Sequence, residues 1–330
     1  MDTDAFRKHL EESKSGFAAW GKYVTEKINE GASQKLGEEG IAMCFKIPSI
    51  PRLKKIDSAL GKIGRKGYDN PIAQMTDLVG VRYVVLLSEQ IDFVCDILKS
   101  EPTWLAEVSK DYQQEIETNP KIFDYQSQHF EVRPKNNFEI NGILITTDMC
   151  CEVQIRTLLQ HAYAELVHDS IYKPVGQVPY KAERQVAKSM ALMETTDELF
   201  CSTMKLLTDV NKPRNQLYED LTSIYREKIG GHHLRPDVKT SYAVLDEFRE
   251  LFKDGLSAEI GRYIEGKQYI AKKVVDRAKT NLFFAQPIIS FVYWAVDEID
   301  PDELKRRWPL PGYLRDIEVI FSDLDRKPSY

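Results

Sequence analysis

The sequence predicts an α/β (α+β) protein: a mixed β-sheet flanked by helices, followed by a C-terminal helical domain. The first observation is that apolar or alternating runs typical of strands, at residues 79–87 and 151–156, are separated by helical patterns. The second is that beyond residue 216 the apolar positions follow helical spacing. We expect an N-terminal helix at 1–45, a domain at 46–210 and a helical accessory or regulatory domain at 211–330, with Asn211 to Asn215 breaking the pattern around Pro213.

The composition limits the class of protein. A hydrophobic fraction of 42% is enough for a core and argues against disorder, and a net charge of -6 is not that of a general polyanion binder. No apolar run reaches the roughly 20 residues of a membrane span, and the N-terminus lacks the order of a secretory signal. Five cysteines without CxxC spacing indicate reduced, buried thiols. We therefore expect a cytoplasmic protein without membrane contact.

Two helices are predicted before the first long strand. An amphipathic helix covers residues 4–30 and ends at the glycines from Gly31 to Gly40. The second helix opens at Ser49, with Pro51 in its first turn. Two interpretations of its polar face stay open: a solvated surface, or a cationic wall that binds a polyphosphate. That face carries Lys54, Ser58, Lys62 and Arg65.

The strands that follow carry two groups of polar residues. Asp77 precedes the apolar strand, where a carboxylate acts either as a hard-cation ligand or as a turn former. Tyr125, Ser127 and His129 alternate on one face before the next strand. This pattern fits either a site that stacks a base and binds its phosphates, or the polar outer face of an edge strand.

The remaining elements are predicted from pattern alone. Residues 89–100 form a short helix, and residues 138–146 form a hairpin with its turn at Asn141-Gly142. Residues 178–210 are mostly helical, and the proline-punctuated tail after Trp308 docks on the surface.

The strongest convergence of polar groups lies between residues 151 and 172. A period of two places one set in the core, namely Cys151, Val153 and Ile155, and another in a cleft, namely Glu152, Gln154 and Arg156. After Thr157 the period becomes helical, and one face carries His161, Glu165, His168 and Tyr172. So many convergent polar groups predict the floor of an active site.

Four stretches, in order, resemble the synthetase domain of the RelA/SpoT family of alarmone synthetases. They are RLKKIDSALGK from Arg52, TDLVGVR from Thr76, YQSQH from Tyr125 and EVQIRTLLQHAYAELVHDSIYK from Glu152. The resemblance covers about residues 46–200. It implies a nucleotidyltransferase-like synthetase fold and transfer of the β,γ-pyrophosphate of ATP to the 3′-hydroxyl of GDP or GTP, with Mg²⁺. Such transfer depends on positioning and charge neutralisation, and needs no covalent nucleophile.

The resemblance also implies roles for individual residues. Arg52 and Arg82 are expected to sandwich the adenine of ATP, and its phosphates to be held by Lys54, Ser58 and Lys62. Asp77 and Glu152 are the expected Mg²⁺ ligands, with Glu152 also activating the attacking hydroxyl. Tyr125 is expected to stack on the acceptor base, with Lys121 and His129 at its phosphates. The acceptor side is completed by the convergent residues Ser127, Gln154, Arg156, His161 and Glu165.

Two departures from the family pattern bear on activity. Phe123-Asp124 stands where the family generally has Asn-Gly, which adds bulk and negative charge beside the acceptor. About 45 residues precede the synthetase stretch, without the hydrolase domain of the long bifunctional members, and the His168-Asp169 pair inside the synthetase helix does not replace it. We therefore expect synthesis without degradation.

Other functions stay open or are excluded. A toxin of the same family, in toxin–antitoxin or anti-phage systems, would pyrophosphorylate the 3′ end of tRNA or adenosine nucleotides and bind an antitoxin. Its RNA contacts would be the C-terminal basic residues, otherwise a solvated face: Lys267, Lys272, Lys273, Arg277, Lys279, Lys305, Arg306 and Arg307. Intact Asp77 and Glu152 argue against a nucleotide sensor without turnover. A di-iron site is disfavoured by a single Glu-x-x-His, at Glu165, and a zincin is excluded. A homo-oligomer stays open.

Overall fold

Apolar strands build a mixed sheet in the computed structural model, which describes residues 3–168, 171 and 177–326. The strands are β1 (Phe45–Ile47), β2 (Arg52–Leu53), β3 (Val79–Val85), β4 (Trp104–Lys110), β5 (Gln128–Pro134), β6 (Phe138–Ile140), β7 (Ile143–Ile145) and β8 (Cys151–Thr157). Within the described residues the order is β1-β3-β8-β5-β4, with β2 also paired with β3, while β6 and β7 form a separate hairpin. β3 and β8 are parallel, and the other neighbours are antiparallel.

Helices flank the sheet and make up the C-terminal region, which confirms the predicted fold class. They are α1 (Thr3–Glu12), α2 (Lys14–Cys44), α3 (Ile56–Lys66), α4 (Pro71–Gln74), α5 (Glu89–Ser100), α6 (Tyr112–Thr118), α7 (Leu158–Val167), α8 (Tyr180–Ile224), α9 (Val238–Glu247), α10 (Leu256–Gly266), α11 (Gln268–Ala278), α12 (Ile289–Glu298), α13 (Pro301–Arg307) and α14 (Leu314–Asp323). The predicted face position Tyr172, and Asp169 of the His168-Asp169 pair, lie outside the described residues.

One face of the sheet is buried under α2 and α5. The alternation predicted for β8 is confirmed, because Cys151, Val153 and Ile155 are all fully buried in this core. Trp20 of α2 is also fully buried, and its indole Nε1 donates to the Val132 carbonyl at 3.2 Å, which satisfies its polar atom. The opposite face of the same strands is therefore left for polar side chains.

Several local predictions are confirmed. The helix predicted at residues 89–100 is α5. The hairpin predicted at 138–146 is β6–β7, and Asn141 and Gly142 in its turn have φ of 50° and 77°, as a two-residue hairpin turn with left-handed positions requires.

The prediction that a helix begins at Ser49 is wrong. Arg52 and Leu53 form β2 opposite Gly80 and Val79, and the Lys54 amide donates to the Leu78 carbonyl at 2.9 Å. These bonds to the sheet replace the helical turn that Pro51 and Ser49 favour, so the helix begins only at Ile56. Lys54 therefore lies in the connection before α3 and not on the helix.

The first predicted helix is also wrong in its bounds. The chain interrupts it at Ser13, between α1 and α2, and α2 then continues through the glycines to Cys44. Gly31 serves close packing instead of termination, because a Cβ there would lie 2.7 Å from Cγ2 of Ile97 on α5. Only Gly37 leaves helical geometry, with φ 67°.

The C-terminal half differs from the prediction in two places. The structure has two compact units, Met1–Met204 and Lys205–Tyr330, and Pro213 lies inside α8 instead of breaking it. The tail after Trp308 does more than dock on the surface, since Ile317 and Phe321 of α14 are buried in the core of the second unit. The domain bounds at 45 and 210 stay a prediction.

Two further observations concern the whole described chain. No helix in the described ranges is both long and apolar enough to cross a membrane. All five cysteines are free thiols, and four of them are buried.

Candidate active site

A cavity of about 810 Å³ opens on the polar face of the sheet in the first unit. Its walls come from the β2–α3 connection, β3, the segment before β5, β8 and α7. Most of the predicted site residues line it: Arg52, Lys54, Ser58, Asp77, Arg82, Tyr125, Glu152, Gln154, Arg156, His161 and Glu165. His168, predicted on the same helical face, also lines it.

The parallel register of β3 and β8 sets the floor of this cavity. Gly80 lies opposite Glu152, and Arg82 lies opposite Gln154. A Cβ at position 80 would lie 3.2 Å from the Glu152 carbonyl oxygen, so a larger residue would press on the backbone that carries the carboxylate. Glycine thus lets the two strands present their polar side chains side by side.

Asp77 is the centre of a cationic cluster. Its Oδ2 accepts from Lys54 Nζ at 2.5 Å and from Lys62 Nζ at 2.9 Å. Burial raises the pKa of Asp77, but the hydrogen bonds and charges of the two lysines outweigh it and hold the pKa below its usual value. Its Oδ1 is buried and has no hydrogen-bond partner among the described residues. One carboxylate oxygen is therefore left for a further positive group.

Glu152 lies between His129 and Gln154. His129 Nδ1 is 3.3 Å from its Oε1, and Gln154 Nε2 donates to its Oε2 at 2.9 Å. Burial raises the pKa of Glu152 and the charge of Asp77 also raises it, but the contact with His129 and the Gln154 hydrogen bond lower it, and the net pKa lies below its usual value. The carboxylate is therefore ionised at neutral pH.

Glu165 joins the two arginines of the floor to α7. Its Oε1 accepts from Arg82 Nη1 at 2.9 Å and lies 3.8 Å from Arg156 Nη2 and 3.6 Å from His161 Nδ1. Burial lowers the pKa of Arg156 to about 10, with Arg82 adding to the effect, and burial followed by Arg156 and Arg82 lowers the pKa of His161. His161 is therefore held neutral beside two cations.

Tyr125 forms an aromatic wall of the cavity. Its hydroxyl is 3.2 Å from His129 Nε2, and cations approach its ring from Lys110 at 5.0 Å and Arg156 at 6.0 Å. Lys110 was missed by the sequence analysis because it ends β4, which shows no strong alternating pattern. An aromatic ring flanked by cations suits a base that carries phosphates.

The structure places the remaining predicted residues outside the cavity wall. Lys62 contacts the site through its ion pair with Asp77. His129 contacts it through Glu152 and the Tyr125 hydroxyl. Ser127 is fully buried, and its Oγ donates to the Ile155 carbonyl at 3.3 Å, which gives it a structural contact instead of a free hydroxyl. Lys121 is exposed in the segment after α6. Lys55 lines the cavity and was not predicted.

Two carboxylates of the cavity, Asp77 and Glu152, are candidate ligands for Mg²⁺. Within the described ranges, no group of three or more His, Cys, Asp or Glu side chains is placed to hold a metal ion. Asp77 and Glu152 provide two carboxylates on the same cavity, one with an unpartnered buried oxygen. Mg²⁺ commonly takes one or two carboxylates and completes its shell with water and substrate phosphates, so this pair fits the ion.

Comparison with known proteins connects this geometry to a family. Residues 51–177 match the model of the region found in RelA/SpoT proteins, and this range includes every cavity-lining residue of α3, β3, β8 and α7. The chain therefore contains a RelA/SpoT region at these residues. The resemblance stated from the four sequence stretches is thereby confirmed.

Two distant relatives of the chain are GTP pyrophosphokinases. GTP pyrophosphokinase YjbM from Bacillus subtilis is 24% identical over 180 residues, 54% of this chain and 77% of the relative. GTP pyrophosphokinase YwaC from the same organism is 26% identical over 151 residues, 44% of this chain and 68% of the relative. At this identity the matches establish that the proteins are related, and they do not by themselves assign a reaction to this chain.

Solved structures share the fold of the first unit. The small alarmone synthetase 1 from Bacillus subtilis, bound to its product pppGpp, aligns with a TM-score of 0.50 and 21% identity. The alignment covers 60% of this chain and 97% of that chain. At this identity the likeness establishes the synthetase fold alone.

Proposed function

We propose that this protein transfers the β,γ-pyrophosphate of ATP to the 3′-hydroxyl of GDP or GTP, which yields a guanosine alarmone. The observation that carries the proposal is one cavity with the Asp77–lysine cluster and Glu152 on its floor and the Tyr125 ring in its wall. A triphosphate, a metal and a second nucleotide need these three kinds of group. The family match and the names of the distant relatives support the same reaction.

The donor side of the proposal rests on the connection before α3 and its first turns. The ammonium groups of Lys54 and Lys62 would leave Asp77 and bind the ATP phosphates. The Ser58 hydroxyl lines the same cavity. Arg52 and Arg82 would lie against the adenine. Asp77 Oδ1 and Glu152 would hold Mg²⁺, which supplies neutralisation of the phosphate charge when bound.

The acceptor side rests on Glu152 and Tyr125. The ionised Glu152 carboxylate would take the proton of the acceptor's 3′-hydroxyl while the 3′-oxygen bonds to the β-phosphorus of ATP. The bond from that phosphorus to the oxygen bridging the α-phosphate then breaks, and AMP leaves. Tyr125 would stack on the base, with Lys110, Lys121 and His129 nearest the acceptor phosphates.

Asp124 need not oppose an anionic acceptor. Its Oδ1 accepts from the Tyr125 amide at 2.7 Å and from the Tyr163 hydroxyl at 3.4 Å. These donors orient the carboxylate toward its own loop and α7. The departure from the family pattern therefore acts on the shape of the loop as well as on its charge.

The tRNA alternative loses support from the second unit. Most of its predicted RNA contacts form ion pairs there: Lys267 with Asp297, Lys273 and Arg277 with Asp323, Lys279 with Asp276, Lys305 with Glu318, and Arg307 with Glu247, Glu250 and Glu303. Binding of a nucleic-acid backbone draws on cations that are available to phosphates. A small nucleotide acceptor is therefore favoured.

The test is a labelling experiment. The purified protein is incubated with γ-³²P-ATP, Mg²⁺ and, separately, GDP, GTP, adenosine nucleotides or bulk tRNA. We expect label on GDP or GTP, and none with the Glu152→Gln variant. Label on tRNA or on adenosine nucleotides, with none on GDP and GTP, would overturn the proposed acceptor. The proposed substrates are cytoplasmic metabolites, so the proposal places the protein in the cytoplasm.

A further inference from the structure

A closed set of hydrogen bonds connects α8 to the acceptor side of the cavity. Thr157 Oγ1 donates to Asp197 Oδ2 at 2.6 Å, and the Gln160 amide donates back to Thr157 Oγ1 at 3.1 Å. Gln160 Nε2 donates to Gln126 Oε1 at 3.2 Å, and Gln126 Nε2 donates to Glu194 Oε2 at 2.8 Å. The two ends of the set, Asp197 and Glu194, both lie on α8, one helical turn apart. We call these five side chains the α8 circuit.

Four of the five side chains of the α8 circuit are buried, and Glu194 is partly exposed. Thr157 is fully buried, and Gln126, Gln160 and Asp197 are each at most 5% exposed. Thr157 and Gln160 also form the capping box of α7, because the Gln160 side chain accepts from the Thr157 amide at 2.9 Å. The Thr157 hydroxyl and the side-chain amides of Gln126 and Gln160 each donate within the circuit, whereas Asp197 Oδ1 is buried without a hydrogen-bond partner among the described residues. Buried donors with satisfied partners favour one arrangement, since any alternative leaves a donor without a partner.

Each circuit member outside α8 is the chain neighbour of a residue that lines the cavity. Gln126 follows Tyr125, Thr157 follows Arg156, and Gln160 precedes His161. No side chain of the circuit is itself on the cavity wall. The circuit therefore holds three backbone segments whose adjoining residues face the acceptor, and it does so without contacting a ligand.

We infer that Glu194 and Asp197 of α8 are positioning residues for the acceptor nucleotide. They hold Gln126 and the α7 capping box, and through them Tyr125, Arg156 and His161. The inference rests on the proposed function for its acceptor. The donor side is held by β2, β3 and the lysines of Asp77. Arg82 of this side also donates to Glu165 of α7, but Glu165 is not a member of the circuit.

Asp197 is suited to a test by conservative replacement. Burial raises its pKa above the usual value, and the Thr157 hydrogen bond opposes this shift. An amide retains an oxygen that accepts from Thr157, so Asp197→Asn keeps the circuit, whereas Asp197→Ala breaks it. Glu194→Ala removes the partner of Gln126 from a partly exposed position, and it carries the test if Asp197→Ala does not fold. Glu198→Ala, on the exposed side of the same helix, is the matched control.

The experiment measures KM for the acceptor, KM for ATP and Tm in the full chain. We expect Glu194→Ala and Asp197→Ala to raise the acceptor KM roughly twofold to tenfold, the change to which one net hydrogen bond corresponds. The ATP KM should stay unchanged, Asp197→Asn should restore the acceptor KM, and Glu198→Ala should match the wild type. Equal rises in both KM values, or no rise in either, would overturn the inference.

A second measurement separates this inference from the proposed function. Amide hydrogen exchange of the Tyr125 and His161 segments is followed in the wild type and in Glu194→Ala without substrates. Faster exchange in both segments supports the circuit even if the wild type transfers nothing to GDP or GTP, in which case only the proposed function fails. Unchanged exchange in both segments overturns the inference whatever the acceptor proves to be.

Discussion

Lys54 Nζ lies 2.5 Å from Asp77 Oδ2, while the other oxygen of Asp77 is buried without a partner in the described chain. One side of this carboxylate is thus neutralised by protein and the other is left for a ligand. Lys62 completes the neutralised side at 2.9 Å. Under the proposed function, either lysine would be released from Asp77 to a phosphate of ATP.

The first prediction concerns the two carboxylates. Asp77→Asn and Glu152→Gln should each lower pyrophosphate transfer at least ~10²-fold, because a principal charge-stabilising group is removed from the site. The fold should remain, as judged by circular dichroism. Asp69→Asn, an exposed carboxylate in the turn before α4, is the control and should leave transfer unchanged. Near wild-type transfer by Asp77→Asn or Glu152→Gln at saturating Mg²⁺ would remove that residue from the site.

A second prediction concerns ATP binding. Arg52→Ala and Lys54→Ala should raise the KM for ATP or lower turnover, because each removes a cation from the donor side of the cavity. Steady-state kinetics with varied ATP measures the effect. Lys66→Ala, at the end of α3 and outside the cavity, is the matched control. If Arg52→Ala and Lys54→Ala have the same KM for ATP and the same turnover as Lys66→Ala, Arg52 and Lys54 belong to a solvated surface that does not bind ATP.

The third prediction separates stacking from hydrogen bonding at Tyr125. Base stacking on an aromatic side chain is worth about 1–3 kcal/mol, so Tyr125→Ala should raise the acceptor KM roughly fivefold to a hundredfold. Tyr125→Phe keeps the ring and loses only the contact with His129, so its acceptor KM should lie much closer to the wild-type value. Equal effects of the two variants would show that the ring does not stack on the acceptor.

Acid stability supplies the fourth prediction. The folded-state pKa of Asp77 lies below its unfolded value, so its ion pairs stabilise the fold above about pH 4 and this stabilisation is lost as pH falls through the folded pKa. Asp77→Asn removes it at every pH. The difference in Tm between wild type and Asp77→Asn should therefore shrink as pH is lowered from 7 to 3. A difference that stays constant would mean that Asp77 has the same pKa folded and unfolded.

The fifth prediction concerns the second unit. Asp323 accepts from Lys273, Arg277 and Tyr293; burial raises its pKa, but these hydrogen bonds lower it to about 2. Asp323→Ala leaves those donors without their shared acceptor, so it should lower the free energy of unfolding by at least ~2 kcal/mol in chemical denaturation. Asp276→Ala, which breaks an exposed pair with Lys279, should change little. An equally small effect of Asp323→Ala would class its contacts as surface pairs.

Much of the site was predictable because its signals are local. The alternation of β8 and the helical period after Thr157 are each contained in a few residues, and a strand or helix converts such a period directly into faces. The same holds for the hairpin turn at Asn141-Gly142. Local patterns therefore predicted the floor of the cavity and the α7 wall.

The parts that were missed depend on distant partners. Arg52 and Leu53 form a strand because they pair with Gly80 and Val79 of β3. This long-range pairing overrides the local preference for a helix that Pro51 indicates. The bond between Thr157 and Asp197 joins positions without any shared pattern. Pro213 is accommodated inside α8, where Leu217 is buried just beyond it, so packing outweighs the lost backbone bond.

Along the described residues β8 is the last strand to be synthesised, yet it lies between β3 and β5 at the centre of the sheet. The pair β1 and β3 and the pair β4 and β5 are joined in the sheet only through β8, so on the ribosome the described sheet cannot be completed before β8 is made. Glu152 arrives with that strand, long after Asp77. Under the proposed function Asp77 and Glu152 act together, so a nascent chain that lacks β8 would not transfer pyrophosphate until this late, long-range pairing completes the sheet.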